Sequence, residues 1–207
     1  MCGRYVFKNP ITKTSNLVKT AIQVEDNENY NAHPYQKLPV IKKYKNGNTL
    51  ENLQWGLIPR WAKDKDFKAL INARLETIDE KVSFKKLIKN NRCVAVADGF
   101  YEWKREEREK TPYYFTREDT NTIYFAGIYE EDQFCLITEE AKDNIKEIHN
   151  RQPVILNQTD VNRYLNIELQ GSSFLNGRKK PGLKYHEVSK DVNKPTNNSV
   201  SLIQPII

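Results

Sequence analysis

The segment from residue 92 to residue 138 constrains the fold most, because short β-forming runs follow one another there with little chain between them. The run RCVAVADGFYEWK predicts one long strand from Arg92 to Lys104, and the charged tip REEREK turns it back into PYYFT. Further strands are predicted over residues 122–129 and 133–138. Strands joined by such short connections pair in antiparallel fashion, so this segment predicts a twisted antiparallel sheet.

The rest of the chain adds helices and more strands to this sheet. The turn pair Asn46-Gly47 is typical of a tight hairpin between two strands. The other predicted elements are helices over 15–24, 80–89, 141–149 and 160–165, and strands over 38–44 and 49–57 and near Tyr185 and Leu202. No repeat, low-complexity tract or linker interrupts the sequence, so residues 1–207 are predicted to form a single α+β domain.

The composition is that of a folded protein, with 38% hydrophobic and 29% charged residues in 207. No apolar run approaches the ~20 residues of a membrane span, and no signal-peptide core is present, so no membrane association is expected. The cysteines Cys2, Cys93 and Cys135 are widely spaced and form no Cys-x-x-Cys pair. This pattern argues against a zinc site or a disulfide framework and indicates a reducing, cytoplasmic location.

Positive charge is concentrated in one part of the chain. Residues 60–92 hold ten basic and five acidic residues, which is +5 of the formal net charge of +6. Within this stretch Lys81, Lys85 and Lys89 recur every fourth residue, as one stripe on the predicted helix. The stripe is either a solvated helix face or a surface that binds a polyanion such as a nucleic acid.

The second residue of the chain carries the most specific chemistry. If Met1 is removed, Cys2 presents an α-amine and a thiol on adjacent carbons, which is a 1,2-aminothiol found nowhere else in the protein. The alternative is that Cys2 occupies its position without any function.

Several polar residues lie where the local pattern favours apolar ones. In INARLET, Asn72 and Arg74 alternate in an extended segment and both could point to one side, where they have either a structural or a functional role. In ADGFYEWK, Glu102 lies between Tyr101 and Trp103. Burial there would raise its pKa and suit it to act as a general acid, whereas an arginine partner would keep it ionised and structural.

Two further segments add candidate residues. In IHNRQPVIL, His149 lies at a predicted helix end, where the helix dipole favours its charged form, and Arg151 is suited to bind a phosphate or a carboxylate. In YNAHPYQ and WGLIPRWA, Pro34 and Trp61 lie near basic residues, an arrangement that suits base stacking in single-stranded nucleic acid, whereas Trp55 is predicted to be core. Together the candidates supply a nucleophile, an amide, an acid and a histidine.

These blocks occur in the order found in a known family. MCGRY, YNAHPYQ, WGLIPRWA, INARLET, ADGFYEWK, IHNRQPVIL and VSKDVN…LIQP together resemble the SOS-response-associated peptidase (SRAP) family, over residues 2 to about 206. The resemblance implies a barrel-like, mostly antiparallel β core flanked by a few helices. It also implies a sensor of abasic sites in single-stranded DNA, including single-strand–double-strand junctions. Its N-terminal cysteine condenses with the opened sugar to form a thiazolidine DNA–protein crosslink.

The resemblance also implies roles for individual residues. Cys2 resembles the nucleophile, Asn72 the asparagine that orients it, Glu102 the acid/base and His149 the catalytic histidine. The implied DNA-binding residues are Arg4, Pro34, Trp61, Arg74, Lys85 and Arg151. No metal or organic cofactor is implied, and a cytoplasmic monomer that joins the nucleoid when bound to DNA is expected.

The sequence departs from the family pattern near these residues. Ala62 follows Trp61 where some members have a second tryptophan, His33 and Tyr35 are bulkier neighbours of Pro34 than expected, and Asn150 replaces an aspartate. Lyase, crosslink-reversal and autoproteolytic activities are compatible with the same residues. The competing functions are an N-terminal-nucleophile cysteine peptidase or amidohydrolase, and a non-covalent single-stranded-DNA-binding protein.

Overall fold

The structure is a computed structural model that describes residues 2–45, 47–62, 66–107 and 109–206. Met1, whose removal would create the aminothiol, and Asn46 of the predicted turn lie outside the described residues. The helices are α1 Pro10–Thr14, α2 Leu87–Asn90, α3 Gln158–Leu165 and α4 Ser173–Asn176. The strands are β1 Tyr5–Lys8, β2 Thr20–Ile22, β3 Glu28–Ala32, β4 Lys37–Tyr44, β5 Gly47–Trp55, β6 Asn72–Arg74, β7 Arg92–Ala97, β8 Gly99–Glu106, β9 Glu109–Arg117, β10 Ile123–Glu130, β11 Gln133–Glu140, β12 Arg151–Pro153, β13 Ile155–Leu156 and β14 Leu183–Glu187.

The larger sheet curls into a partly closed barrel. Its strands follow the order β12-β11-β10-β7-β4-β5-β2, with β6 paired to β11 and β13 to β10. Strand β5 also pairs in parallel with β11, through Gln54 opposite Gln133 and Trp55 opposite Phe134, which closes the curve. The smaller sheet, ordered β14-β9-β8-β1-β3, is antiparallel throughout. The predicted α+β class and the barrel-like, mostly antiparallel core are confirmed.

Strand β7 explains why the central sequence is continuously apolar. Its alternate residues Val94 and Val96 pack in one core cluster, while Cys93, Ala95 and Ala97 pack in the other. Both faces of the strand are therefore buried, so the period-2 alternation of polar and apolar residues is lost.

Trp55 is fully buried, as predicted, and its indole packs against Tyr5 with ring centroids 5.3 Å apart.

The predicted single strand from Arg92 to Lys104 is wrong, because the chain changes sheets at Asp98. Strand β7 belongs to the larger sheet and β8 to the smaller one. The Asp98 carboxylate accepts a hydrogen bond from the Lys8 amide (2.8 Å) and pairs with the Lys13 ammonium. A Cβ on Gly99 would lie 2.5 Å from the Phe115 carbonyl oxygen, so the close approach of the strands requires glycine there.

Several predicted helices are also different in the structure. In the 15–24 segment, Thr20–Ile22 instead forms β2 and pairs in parallel with β5. In the 80–89 segment, turns precede the short α2, although Phe84, Leu87 and Ile88 are buried as predicted. The helix predicted to end near His149 is one 3₁₀ segment, Asp143–Glu147, and Val200–Ile203 is a 3₁₀ segment instead of a strand. Tertiary contacts override local helix propensity in these short segments.

The remaining predicted elements are confirmed. The hairpin of β4 and β5 pairs from Lys37 opposite Gln54 to Tyr44 opposite Gly47. The predicted turn at REEREK joins β8 to β9, and the predicted strands over 122–129 and 133–138 correspond to β10 and β11. The predicted helix over 160–165 corresponds to α3, and the strand near Tyr185 is β14.

The buried tyrosines provide a test of how the core is stabilised. The Tyr5 hydroxyl is buried and has no hydrogen-bond partner among the described residues, whereas the Tyr164 hydroxyl donates to the Gly127 carbonyl at 2.9 Å. We expect Tyr5→Phe to raise the free energy of unfolding by ~1 kcal/mol and Tyr164→Phe to lower it by a similar amount. Urea unfolding measures both, and a destabilised Tyr5→Phe variant would reveal a hydrogen bond to the Tyr5 hydroxyl in solution.

Candidate active site

The pairing of β1 with β8 places Cys2 beside Glu102. Tyr5 lies opposite Phe100, and the Tyr101 amide donates to the Arg4 carbonyl at 3.0 Å. Continuing this antiparallel register towards the N-terminus brings residues 2 and 3 alongside Glu102. Cys2 is fully buried in this position. The second residue of the chain is therefore part of the core.

Asn72 holds Cys2 from the other sheet. Strand β6 pairs with β11, with Asn72 opposite Leu136, and the Asn72 Nδ2 donates to the Cys2 carbonyl oxygen at 3.0 Å. The Asn72 Oδ1 is buried and has no hydrogen-bond donor among the described residues. A buried acceptor of this kind is costly to leave unsatisfied, so Oδ1 is suited to accept a hydrogen bond from a bound group.

Glu102 and His149 form the third side of the site. The Glu102 side chain is 2% exposed, and its Oε2 lies 4.0 Å from the His149 Nε2. Burial raises the pKa of Glu102 from an ordinary 4.5 to about 7, because burial outweighs the opposing effect of the N-terminal ammonium and, to a smaller extent, of Arg105. Burial therefore raises the pKa of this carboxyl, as the sequence predicted, and Glu102 can hold a proton near neutral pH.

His149 is held as a neutral ring, in contrast to the charged form expected from a helix dipole. The segment before it is a short 3₁₀ turn, and burial lowers the pKa of His149 below its ordinary value. The Arg151 amide donates to the His149 Nδ1 at 3.0 Å. The same Nδ1 lies 3.1 Å from the Arg151 carbonyl oxygen, and Nε2 is the ring nitrogen that faces Glu102.

The Cys2 thiol is kept in its protonated form. Burial raises the pKa of the thiol, and the nearby Glu102 raises it further. The Cys2 Sγ lies 3.9 Å from the Arg4 carbonyl oxygen, within reach of a weak hydrogen bond. The sulfur is therefore not a preformed thiolate of the kind that a cysteine hydrolase uses.

The predicted arginines have different environments. Arg74 is exposed and has no ion-pair partner among the described residues. The Arg4 Nη1 donates to the Asn31 Oδ1 (2.7 Å) and to the Val192 carbonyl (2.9 Å). Arg151 donates to both carboxylate oxygens of Glu76, at 2.8 and 2.9 Å. The sequence suggested a phosphate or a carboxylate as the ligand of Arg151, and in the structure Arg151 binds the Glu76 carboxylate.

Two cavities open on the site, and Trp103, Arg105 and His149 line both of them. One, of about 450 Å³, is lined by Glu102, Trp103, Arg105, Lys110, His149 and Asn193. The other, of about 770 Å³, is lined by Arg74, Glu76, Thr77, Trp103, Arg105, Glu140, Ile148, His149, Asn150 and Arg151. The Trp103 Nε1 donates to the Asn193 Oδ1 at 2.7 Å, which fixes the orientation of the ring.

Sequence reasoning missed several of these residues. Arg105 and Lys110 face each other across the β8–β9 hairpin, and both line the smaller cavity. Their only sequence signal is the charged REEREK tip, which is also typical of an ordinary exposed turn. Asn31 and Asn193 carried no signal, because their partners are far away in the sequence.

The other predicted DNA-binding residues lie outside these two cavities. Trp61 is exposed, with its ring 5.7 Å from that of Phe67, and Pro34 is half-buried. Lys85 is exposed on the turns that precede α2.

Among the described residues, no cluster of His, Cys, Asp and Glu side chains is suited to hold a metal ion, and none of the helices is long and apolar enough to span a membrane.

Comparison with known proteins places this arrangement in a family. A family model described as SOS response associated peptidase (SRAP) matches residues 1–195. The chain belongs to the SRAP family. It is 34% identical to the Bacillus subtilis protein YoqW over 99% of both chains, and 30% identical to Escherichia coli YedK over the full length of both; each is named an abasic site processing protein. A Bacteroides thetaiotaomicron crystal structure shares the SRAP chain's fold with a TM-score of 0.84, at 22% identity and full coverage of both chains.

The raised pKa of Glu102 predicts how the stability of this SRAP chain varies with pH. The folded state holds the Glu102 proton more tightly than the unfolded state, so its stability falls as pH rises from about 4.5 through about 7. Glu102→Gln removes this loss. We expect the variant to match the wild type near pH 4 and to exceed its free energy of unfolding by up to ~3 kcal/mol at pH 8.

Urea unfolding at both pH values measures this difference, with Glu106→Gln, an exposed change in the same strand, as the control. A Glu102→Gln variant that is less stable than the wild type at pH 8 would instead indicate a structural ion pair at Glu102.

Proposed function

We propose that this protein processes abasic sites in single-stranded DNA by forming a covalent crosslink through Cys2. One observation carries the proposal: Cys2 is buried between the Asn72 amide and a carboxyl group that can be protonated near neutral pH. Cys2 supplies both an amine and a thiol once Met1 is removed. An abasic site supplies the matching electrophile, because its opened sugar is an aldehyde. The names of the YoqW and YedK relatives support the processing of abasic sites in general.

The proposed reaction has two steps whose atoms balance. The neutral α-amine of Cys2 adds to the sugar aldehyde, and loss of one water gives an imine. The Cys2 sulfur then adds to the imine carbon while its proton moves to the nitrogen, which closes a five-membered thiazolidine ring. An α-amine with a pKa of ~8 is partly unprotonated at neutral pH, and ring closure within one residue gains from proximity.

Side chains around Cys2 fit the proton transfers of these steps. Glu102 would protonate the hydroxyl that leaves as water. His149, with its Nε2 facing Glu102, would assist sugar opening, and the same pair could serve strand cleavage by β-elimination or reversal of the crosslink. The Asn72 Nδ2 fixes the Cys2 carbonyl, and its Oδ1 is available to the Cys2 amine or to a sugar hydroxyl.

DNA binding in this proposal depends on charge and not on base sequence. Arg74 and Arg105 are exposed on the larger cavity and can contact phosphates. Arg4 and Arg151 already make hydrogen bonds within the protein, so each would contribute to DNA binding through its remaining donors or its charge. Such contacts suit a lesion that has no base to read. Pro34 and Trp61 are proposed to border the path of the strand.

The peptidase alternative receives less support from the geometry. A cysteine hydrolase at this site would need a base to activate the thiol, either His149 or the Cys2 α-amine. Burial keeps the Cys2 thiol protonated, and the His149 Nε2 faces Glu102. The arrangement is better suited to amine attack on an aldehyde, which requires no thiolate in its first step.

The crosslink should require both halves of the aminothiol. Protein with a free N-terminus and a C-terminal tag should form a heat-stable adduct with an oligonucleotide that carries one abasic site, detected on a denaturing gel. Cys2→Ser should give only a labile imine, and an N-terminal tag should abolish the adduct, because it blocks the amine. A heat-stable adduct of the N-terminally tagged protein would contradict the thiazolidine mechanism, and turnover of amide substrates without any adduct would favour the hydrolase.

Glu102→Gln tests the acid directly. We expect its single-turnover rate of crosslinking to fall by ~10²–10⁴-fold while non-covalent binding of DNA is retained. The wild-type rate should rise with pH as the amine loses its proton and fall as Glu102 deprotonates above about 7. The variant should lack this fall, and Glu106→Gln should behave as the wild type. A Glu102→Gln variant with the wild-type rate and pH profile would remove Glu102 from the mechanism.

A further inference from the structure

Tyr35 has an unusual combination of backbone strain and exposure. Its φ of 73° lies in the left-handed region, which a bulky side chain rarely adopts. Tyr35 is nevertheless 64% exposed, so burial of its ring in the core does not compensate for the backbone strain. Strained, exposed residues of this kind cluster at binding sites, where the conformation directs a side chain towards a ligand.

The backbone around Tyr35 is fixed by hydrogen bonds to the larger sheet. The Tyr35 amide donates to the Trp55 carbonyl at 2.7 Å, and the Trp55 amide donates to the Gln36 carbonyl at 2.9 Å. The His33 amide donates to the Gln36 Oε1 at 3.2 Å, which closes the turn. The Tyr35 ring is therefore carried by an ordered turn.

Gly56 lies close to one edge of the Tyr35 ring. A Cβ built on Gly56 would lie 3.9 Å from two ring carbons of Tyr35 and 3.1 Å from the Ala69 Cβ. One edge of the ring thus lies near Gly56, while most of the residue is open to solvent. A flat ring supported in this way can receive another flat group without further ordering.

The Tyr35 turn is connected to the candidate active site by a short chain of contacts. The Trp55 carbonyl holds Tyr35, and the Trp55 Nε1 donates to the Ile71 carbonyl at 2.9 Å. Ile71 directly precedes Asn72, which holds Cys2. Two exposed cations, Lys37 and Arg74, lie on these segments and have no carboxylate partner among the described residues.

We propose that Tyr35 stacks on an unpaired base of single-stranded DNA next to the abasic site; this inference rests on the proposed function. An exposed ring with exposed cations on neighbouring segments suits the bases and phosphates of a single strand. A protein partner would require a much wider apolar surface. Stacking on Tyr35 would hold the strand while the base-free sugar reaches Cys2.

The test compares two fluorescent single-stranded oligonucleotides. The first carries one tetrahydrofuran residue, an abasic analogue without an aldehyde, between ordinary nucleotides. In the second, the nucleotides on both sides are also tetrahydrofuran, so no base is present to stack. The variants are Tyr35→Asn, which tolerates positive φ but lacks the ring, Tyr35→Phe, which retains it, and Tyr44→Asn, an exposed control tyrosine.

On the first oligonucleotide we expect Tyr35→Asn to raise Kd about 5- to 150-fold, and Tyr35→Phe and Tyr44→Asn to bind nearly as the wild type. On the second oligonucleotide Tyr35→Asn should bind as the wild type does. Equal losses on both oligonucleotides, or no loss on either, would overturn the inference while leaving the crosslinking mechanism standing. A wild type that neither binds the first oligonucleotide nor crosslinks to an abasic site would overturn the proposed function itself.

Thermal unfolding of Tyr35→Gly separates a ligand-binding ring from a structural one. Glycine adopts positive φ without strain, so we expect Tm at or above that of the wild type together with weaker binding of the first oligonucleotide. A clear fall in Tm with unchanged binding would assign the ring to covering Gly56 and overturn the inference.

Discussion

The pairing of β1 with β8 is the interaction on which the site depends. Strand β1 is not an edge strand, since β8 and β3 flank it on either side. Residues 2–4 continue from this strand, and the Arg4 carbonyl accepts from the Tyr101 amide. Chain termini are usually poorly ordered unless they are held in a sheet. Here the sheet holds Cys2 at one position beside Glu102.

Burial at this position determines the protonation of the groups around it. The same desolvation that keeps the Cys2 thiol neutral lets Glu102 retain a proton and His149 lose one. A site made of neutral groups costs less to bury than one made of charges. The reactive residues therefore sit within the core, and exposed cations such as Arg74 lie at the surface around them.

The C-terminal segment completes the site by covering β1 and β3. The Asn31 Nδ2 donates to the carbonyls of Lys194 and Asn197, and Arg4 donates to that of Val192. In the same segment, Asn193 fixes the Trp103 ring that lines both cavities. Further from the site, buried Glu139 accepts from Arg178 and Lys180 at 2.6 and 2.7 Å, which ties the C-terminal part of the chain to β11. Residues distant in sequence thus set the shape of the site.

The sequence by itself determined the fold class, the β4–β5 hairpin and the order of the motifs, because alternating apolar residues and turn pairs are local signals. It also singled out Cys2, Asn72, Glu102 and His149, whose polar side chains interrupt apolar patterns or begin the chain. Only the tertiary structure decided the break at Asp98, the neutral state of His149 and the partner of Arg151. Each of these depends on atoms from another part of the chain: the Lys13 ammonium, the burial around His149 and the Glu76 carboxylate. The strain at Tyr35 has the same origin, because the hydrogen bonds that join Tyr35 and Gln36 to Trp55 hold a backbone angle that no local sequence pattern reveals.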